Sequence, residues 1–202
     1  MKNQKTDDAI QSKTMFAMVL LAVLGNPGYD VAASELDLNI SNKSINLQFN
    51  TEPPFSVANN SKFEVGAGYI YREGGTKIAN LDFHALGQTV LVNMPTTVLI
   101  GARAIYFDED EGDGGGLALG GGAHVKIPQV PGMGVKATGH IAPQITSFGE
   151  AERILRTDIR ATYRVIQNAD IYAGYRAIRA RLEDSGSQSV DENIHIGFML
   201  IF

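Results

Sequence analysis

Hydrophobic and polar positions alternate along most of the chain beyond residue 34. The last segment is the clearest. Ile194, Ile196, Phe198, Leu200 and Phe202 share one phase, and Asn193, His195, Gly197, Met199 and Ile201 share the other. A period of two sends successive side chains to opposite faces, which predicts a β-strand. The same reading predicts short strands around Leu36–Ile40 and Ile45–Phe49, with Ser41, Asn42 and Lys43 as a tight turn between them. Further strands are expected around Val65, Ala67 and Tyr69; Ala79, Leu81 and Phe83; Val98, Ile100 and Ala102; and Leu117, Leu119 and Ala123. Val135 and Ala137; Ile159, Ala161 and Tyr163; and Ile171, Ala173 and Tyr175 mark three more.

The connections fall into two kinds. Residues 167–169 and 128–134 are short or Pro-rich; residues 107–116, 143–153 and 182–192 are longer and charged or polar. The two kinds alternate, as short periplasmic turns and longer outer loops do in a membrane barrel. The expected fold is all-β: an antiparallel transmembrane β-barrel of ten short strands. The alternative is eight strands with an amino-terminal plug or flap, because each half of the first hairpin is shorter than the ~9–11 residues of a spanning strand. A soluble β-sandwich also alternates. The front of the chain, the aromatic last strand and the two loop classes together favour the barrel.

The front of the chain carries Lys2, Lys5 and Lys13, then an apolar run over residues 15–24, then Gly25, Asn26, Pro27 and Gly28. Basic, apolar and small residues in that order predict a secretory signal over residues 1–33, cut after Ala33. The apolar run is too short for the ~20 residues of a spanning helix. Residues 34–202 form one barrel domain. Cysteine is absent, which excludes disulfides and thiolate metal sites. The net charge of −5 gives no reason to expect a nucleic-acid partner.

If the apolar phase faces lipid, the other phase faces a lumen, and charges are concentrated there. A lumen charge network is expected from Glu64, Asp82, Arg103, Asp158, Arg160, Arg164 and Arg176, with Lys126 and Lys136 beside it. The four histidines, His84, His124, His140 and His195, share the phase, as do Gly66, Gly68, Gly101, Gly120, Gly122, Gly174 and Gly197. A barrel of this size is filled by its own side chains. The expectation is a largely filled, Arg-rich lumen whose positive excess would favour anions in any residual leak. The histidine spacing matches no metal motif, so no metal and no cofactor are expected.

Asp108, Glu109, Asp110, Glu111 and Asp113 predict an acidic outer loop. Gly112 breaks the calcium-loop pattern counted from Asp108. Tyr69, Tyr71, Tyr106, Phe107, Tyr163 and Tyr175 could form interfacial girdles. Ser147 and His140 are near in sequence, but Ser147 sits in an expected loop, and no enzyme activity is expected. Phe198, Leu200 and Phe202 look like the terminal signal read by the barrel-assembly machinery.

The run Leu36-Asp37-Leu38-Asn39-Ile40-Ser41-Asn42 resembles the amino-terminal segment of the YfaZ-type outer-membrane proteins. Residues 112–122, with their clustered glycines, residues 171–179, residues 147–152 and the final strand match in the same order. The resemblance covers nearly the whole mature chain and implies a Gram-negative outer-membrane barrel, with no catalytic residues to carry over. The functional expectation is a structural barrel or a narrow small-solute or ion channel. The alternative is a binding or adhesion barrel acting through acidic outer loops; a lipid-modifying barrel enzyme is the least supported class. The expected partners are the lipid bilayer, lipopolysaccharide and the assembly machinery, with the barrel a monomer.

Overall fold

The computed structural model describes residues 34–53, 62–109, 112–182 and 186–202. The expected signal over residues 1–33 lies outside these residues, as do Asp110 and Glu111 of the acidic run. The strands in chain order are β1 (Ser34–Ser41), β2 (Ser44–Thr51), β3 (Lys62–Arg72), β4 (Lys77–Leu91), β5 (Met94–Glu109) and β6 (Gly112–Lys126). They continue with β7 (Met133–Ala142), β8 (Ser147–Gly149), β9 (Ala151–Ile166), β10 (Ala169–Leu182) and β11 (Gly186–Ile201). A 3-10 turn, Gln144–Thr146, precedes β8.

β1 pairs antiparallel with β2 on one edge and with β11 on the other, which closes a ring of ten strands. The first hairpin therefore belongs to the ring and is not a plug. The short β8 pairs with β6 outside the ring. At the seam the Ser34 amide donates to the Phe202 carbonyl at 2.7 Å, and the Phe202 amide donates to the Ser34 carbonyl at 2.9 Å. Closure leaves no sheet edge, which is what a β-structure in hydrocarbon requires.

The exterior is apolar. Leu81 is 63% exposed, Ile100 70% and Ile194 73%, and Leu119, Ile159 and Ile196 are exposed beside them. A soluble sandwich would bury this phase between its sheets. Here it faces outward all round the ring, the arrangement of an outer-membrane-type barrel.

The ends of the strands differ from expectation. Residues 107–116 are not a long loop: β5 and β6 continue as a ladder through Phe107↔Gly114, Asp108↔Asp113 and Glu109↔Gly112. Residues 182–192 are likewise mostly strand, paired up to Leu182↔Gly186. The reason is an inversion of polarity at this end. Phe107, Ile178, Ala180, Leu182 and Val190 turn inward and are buried, while Asp108, Arg179 and Arg181 turn outward to water. Charged residues there read as loop, although the backbone ladder runs on beneath them. Phe107, expected on an interfacial girdle, is fully buried inside the barrel, because its parity is that of Arg103 and Ile105.

A β-bulge makes the inversion possible on β11. Ile178 pairs with Asp191 and Arg179 with Ser189, so Val190 is the extra residue. Val190 and Asp191 are consecutive, yet both are buried. The bulge re-aims the strand, so that an apolar residue replaces a polar one on the inner face.

At the opposite end, β4 and β5 are joined through Val92 (φ 49°) and Asn93 (φ 62°). Two successive left-handed residues make the tight hairpin turn whose twist suits paired strands. Neither position holds glycine or proline.

Candidate functional site: a filled lumen

The barrel interior has two layers. At the end away from the chain termini lies an apolar plug: Ile70, Ile78, Ile105, Phe107, Ile154 and Ile178 are each 2% exposed or less and belong to one cluster. Below it lies a polar layer crossed by long side chains from wall to wall.

One half of the polar layer is organised on Asp82 of β4. Arg103 grips it with both Nε and Nη2, the latter at 2.9 Å. Gln48 Nε2 of β2 and Asn80 Nδ2 also donate to Asp82, at 2.8 and 3.0 Å. Gly68 makes room for this group, since a Cβ there would lie 2.0 Å from Gln48 Oε1. The other half is organised on Asp37 of β1. Arg160 and the Tyr172 hydroxyl both donate to it, and Arg160 also donates to Asp158 at 2.7 Å. The Arg160 guanidinium lies 4.5 Å from the centre of the Tyr172 ring, a cation–π contact. Tyr172 rests over Gly197, where a Cβ would meet its hydroxyl at 2.5 Å. Arg176 bonds Asp191 at 2.8 Å, Asn39 at 3.0 Å and Ser44 at 3.2 Å.

The expected network residues are thus inside, but not as a single set. Arg103 and Asp82 form one pair, and Arg160 and Asp158 another. Arg176 pairs with Asp191, and Arg164 with Asp170 at 2.7 Å near the open rim, where its side chain is 41% exposed. Glu64 approaches His84 Nδ1 at 3.7 Å and bonds none of the arginines. Sequence reasoning passed over Asp37, Asp170, Asp191, Tyr172 and Arg156, although all share the inner parity of their strands. Among the described residues, Glu35, Asp37, Glu109, Asp170 and Asp191 join Glu64, Asp82 and Asp158, so the inward carboxylates are no fewer than the inward cations, and the expected positive excess disappears.

One rung of the ladder gathers unusual chemistry. Glu64, His84, Gly101, Gly120, His140 and Arg156 are successive cross-strand partners on β3, β4, β5, β6, β7 and β9. The two glycines bear no side chain, so the two histidines reach over them. Their Nε2 atoms meet at 2.9 Å, and both rings are buried. Facing nitrogens at that distance share a single proton, one ring donating and the other accepting.

The remaining residues are placed as follows. Lys136 lies 3.7 Å from Glu35, and His195 Nε2 lies 3.6 Å from Asp158. His124 Nε2 lies 3.4 Å from the Thr162 hydroxyl, and Lys126 is exposed. Ser147 Oγ donates to the Pro143 carbonyl at 3.0 Å, while His140 is engaged with His84, so these two do not form a pair. Glu109 does not belong to an acidic outer loop. It sits on β5 with its carboxylate toward Thr76 Oγ1 at 3.2 Å and Arg72 Nη1 at 3.4 Å. Asp108 and Asp113 remain exposed, beside Lys77 and Tyr106. Phe198, Leu200 and Phe202 face outward, and the first two pair with Leu38 and Leu36 of β1. Among the described residues, no group of three or more His, Cys, Asp or Glu side chains is gathered to hold a metal ion.

An apolar exterior, a closed ring and a charge-paired interior define an outer-membrane-type β-barrel. Residues 13–202 match the family model described as YfaZ precursor, and the chain belongs to this family. A comparison with curated proteins returns no match. Among solved structures, the translocator domain of the autotransporter NalP from Neisseria meningitidis aligns at 11% identity and a TM-score of 0.40, over 98% of each chain. The outer membrane channel DcaP of Acinetobacter baumannii aligns at 10% identity and a TM-score of 0.35, over 85% of this chain and 95% of its own. A structure from a study of in-meso crystallization of membrane proteins aligns at 12% identity and a TM-score of 0.42, over 85% of this chain and 83% of its own. The fold assignment rests on the ring itself.

Proposed function

We propose that this protein is a closed, non-enzymatic barrel of the Gram-negative outer membrane, reached by export through the periplasm. It stands there as a structural element and not as a route for solutes. The observation that carries this reading is the apolar plug across the outer end of the lumen. A polar solute would have to strip its hydration to pass between Ile70, Ile105, Phe107 and Ile154, and the polar layer below offers it no unpaired carboxylate row to follow. The charged outer face of the β10–β11 hairpin would stand among lipopolysaccharide head groups, and the outward Phe198, Leu200 and Phe202 would be presented to the assembly machinery. The barrel acts as a monomer.

The test is osmotic swelling of liposomes carrying the refolded protein. Entry of a disaccharide no faster than into protein-free liposomes is expected. Rapid entry would overturn the reading.

A further inference from the structure

The lumen arginines are matched to carboxylates with one exception. Arg72, Arg103, Arg160, Arg164 and Arg176 each lie within 3.4 Å of an Asp or Glu oxygen. Arg156 is buried to 4% exposure, and among the described residues no carboxylate forms an ion pair with it. Its one hydrogen bond runs from Nη1 to Asn80 Oδ1 at 3.5 Å, across the lumen from β9 to β4. Its Nε is buried without a partner.

Asp82 and Asp158 act on Arg156 over a distance, but neither forms an ion pair with it. Asp82 already accepts from Arg103, Gln48 and Asn80. On the adjacent strand, in register with Arg156, stands His140. Its Nδ1 is also buried without a partner. Arg156 Nε and His140 Nδ1 thus belong to cross-strand neighbours on one rung, where His84 Nδ1 is a third buried nitrogen without a hydrogen bond. A buried guanidinium without a counter-charge is costly, and an anion is what offsets that cost. A cation is disfavoured here by Arg156 itself.

We propose that Arg156 and His140 form a binding site for one small inorganic anion of chloride size, inside the closed barrel. Arg156 Nε–H and His140 Nδ1–H donate to it. The proton inventory follows from the facing rings. When His140 carries its proton on Nδ1, its Nε2 must accept from His84 Nε2–H. His84 Nδ1 then faces the Glu64 carboxylate at 3.7 Å without a hydrogen bond. The other charged groups facing this layer are Asp82 from β4, Arg103 from β5, Asp158 from β9 and Arg176 from β10. Each is engaged in an ion pair of its own, Asp158 through Oδ1 to Arg160, while its Oδ2 is buried without a hydrogen bond and 3.6 Å from His195 Nε2. β6 presents only Gly120 at this rung.

The test uses the mature protein refolded in detergent, with unfolding midpoints measured in sodium chloride and in sodium gluconate at equal ionic strength. Gluconate is too large for the site. A saturable rise in the midpoint with chloride is expected, with the rise lost in Arg156→Gln. Equal midpoints in the two salts, or the same chloride effect in the variant, would overturn the site. Should Arg156→Gln fail to fold, crystals grown in bromide decide. Anomalous density between Arg156 and His140 supports the site. Arg156 turned onto Asp158 with no bromide beside it refutes the site.

Discussion

The Arg176 guanidinium and the Asp191 carboxylate meet at 2.8 Å inside the barrel, with side-chain exposures of 1% and 0%. They sit where two features join: Asp191 follows the bulge residue Val190, and Arg176 reaches on to Asn39 of β1 and Ser44 of β2. This pair ties β10 and β11 to the first hairpin directly beneath the apolar plug. Removing one partner leaves the other charged, buried and unpaired. Arg176→Met should cost about 3–5 kcal/mol of stability, and the double change Arg176→Met with Asp191→Leu should cost clearly less. Urea unfolding of the refolded barrels in lipid measures both. Equal losses in the single and double variants would show that the pair is not what holds this layer.

Phe107 tests the plug. Its ring is fully buried among Ile and Ala side chains at the end away from the chain termini. Phe107→Ala should cost about 3–5 kcal/mol, as large-to-small core changes do. It should also raise ion conductance above that of the wild type, because the gap opens over the polar layer. An exposed girdle aromatic at this position would do neither when truncated.

The β1–β11 seam runs out to Ser34 and Phe202. Phe202 exchanges both backbone hydrogen bonds with Ser34, and its ring faces outward. Deleting Phe202 should slow closure and reduce the fraction of heat-modifiable barrel recovered from membranes. Normal recovery at a normal rate would mean that the β1–β11 seam forms without it.

The ring itself was legible in the sequence. The alternation of Ile194, Ile196, Phe198 and Leu200 reads directly as an outward face, and the clean period over Leu36–Ile40 placed the first hairpin in the barrel. The inward residues were legible as a set, because parity alone assigns them. Their partners were not, because Arg160 to Asp37 and Arg176 to Asn39 are contacts across the lumen, and no local spacing encodes which wall a long side chain reaches. The plug was hidden for a different reason. At the end of the barrel away from the chain termini the polarity of the two faces inverts, so Phe107 read as a girdle aromatic and Glu109 as part of a loop. The Val190 bulge carries no sequence mark of its own, and the rung that brings His84 to His140 required the register of four strands.

Single-channel recording in planar bilayers tests the closed lumen most directly. The wild-type barrel should insert without producing steps of conductance in molar potassium chloride, and Phe107→Ala should introduce them. Steady, resolvable openings of the wild-type protein would contradict the account, since ions cannot cross a lumen sealed by the apolar layer around Phe107.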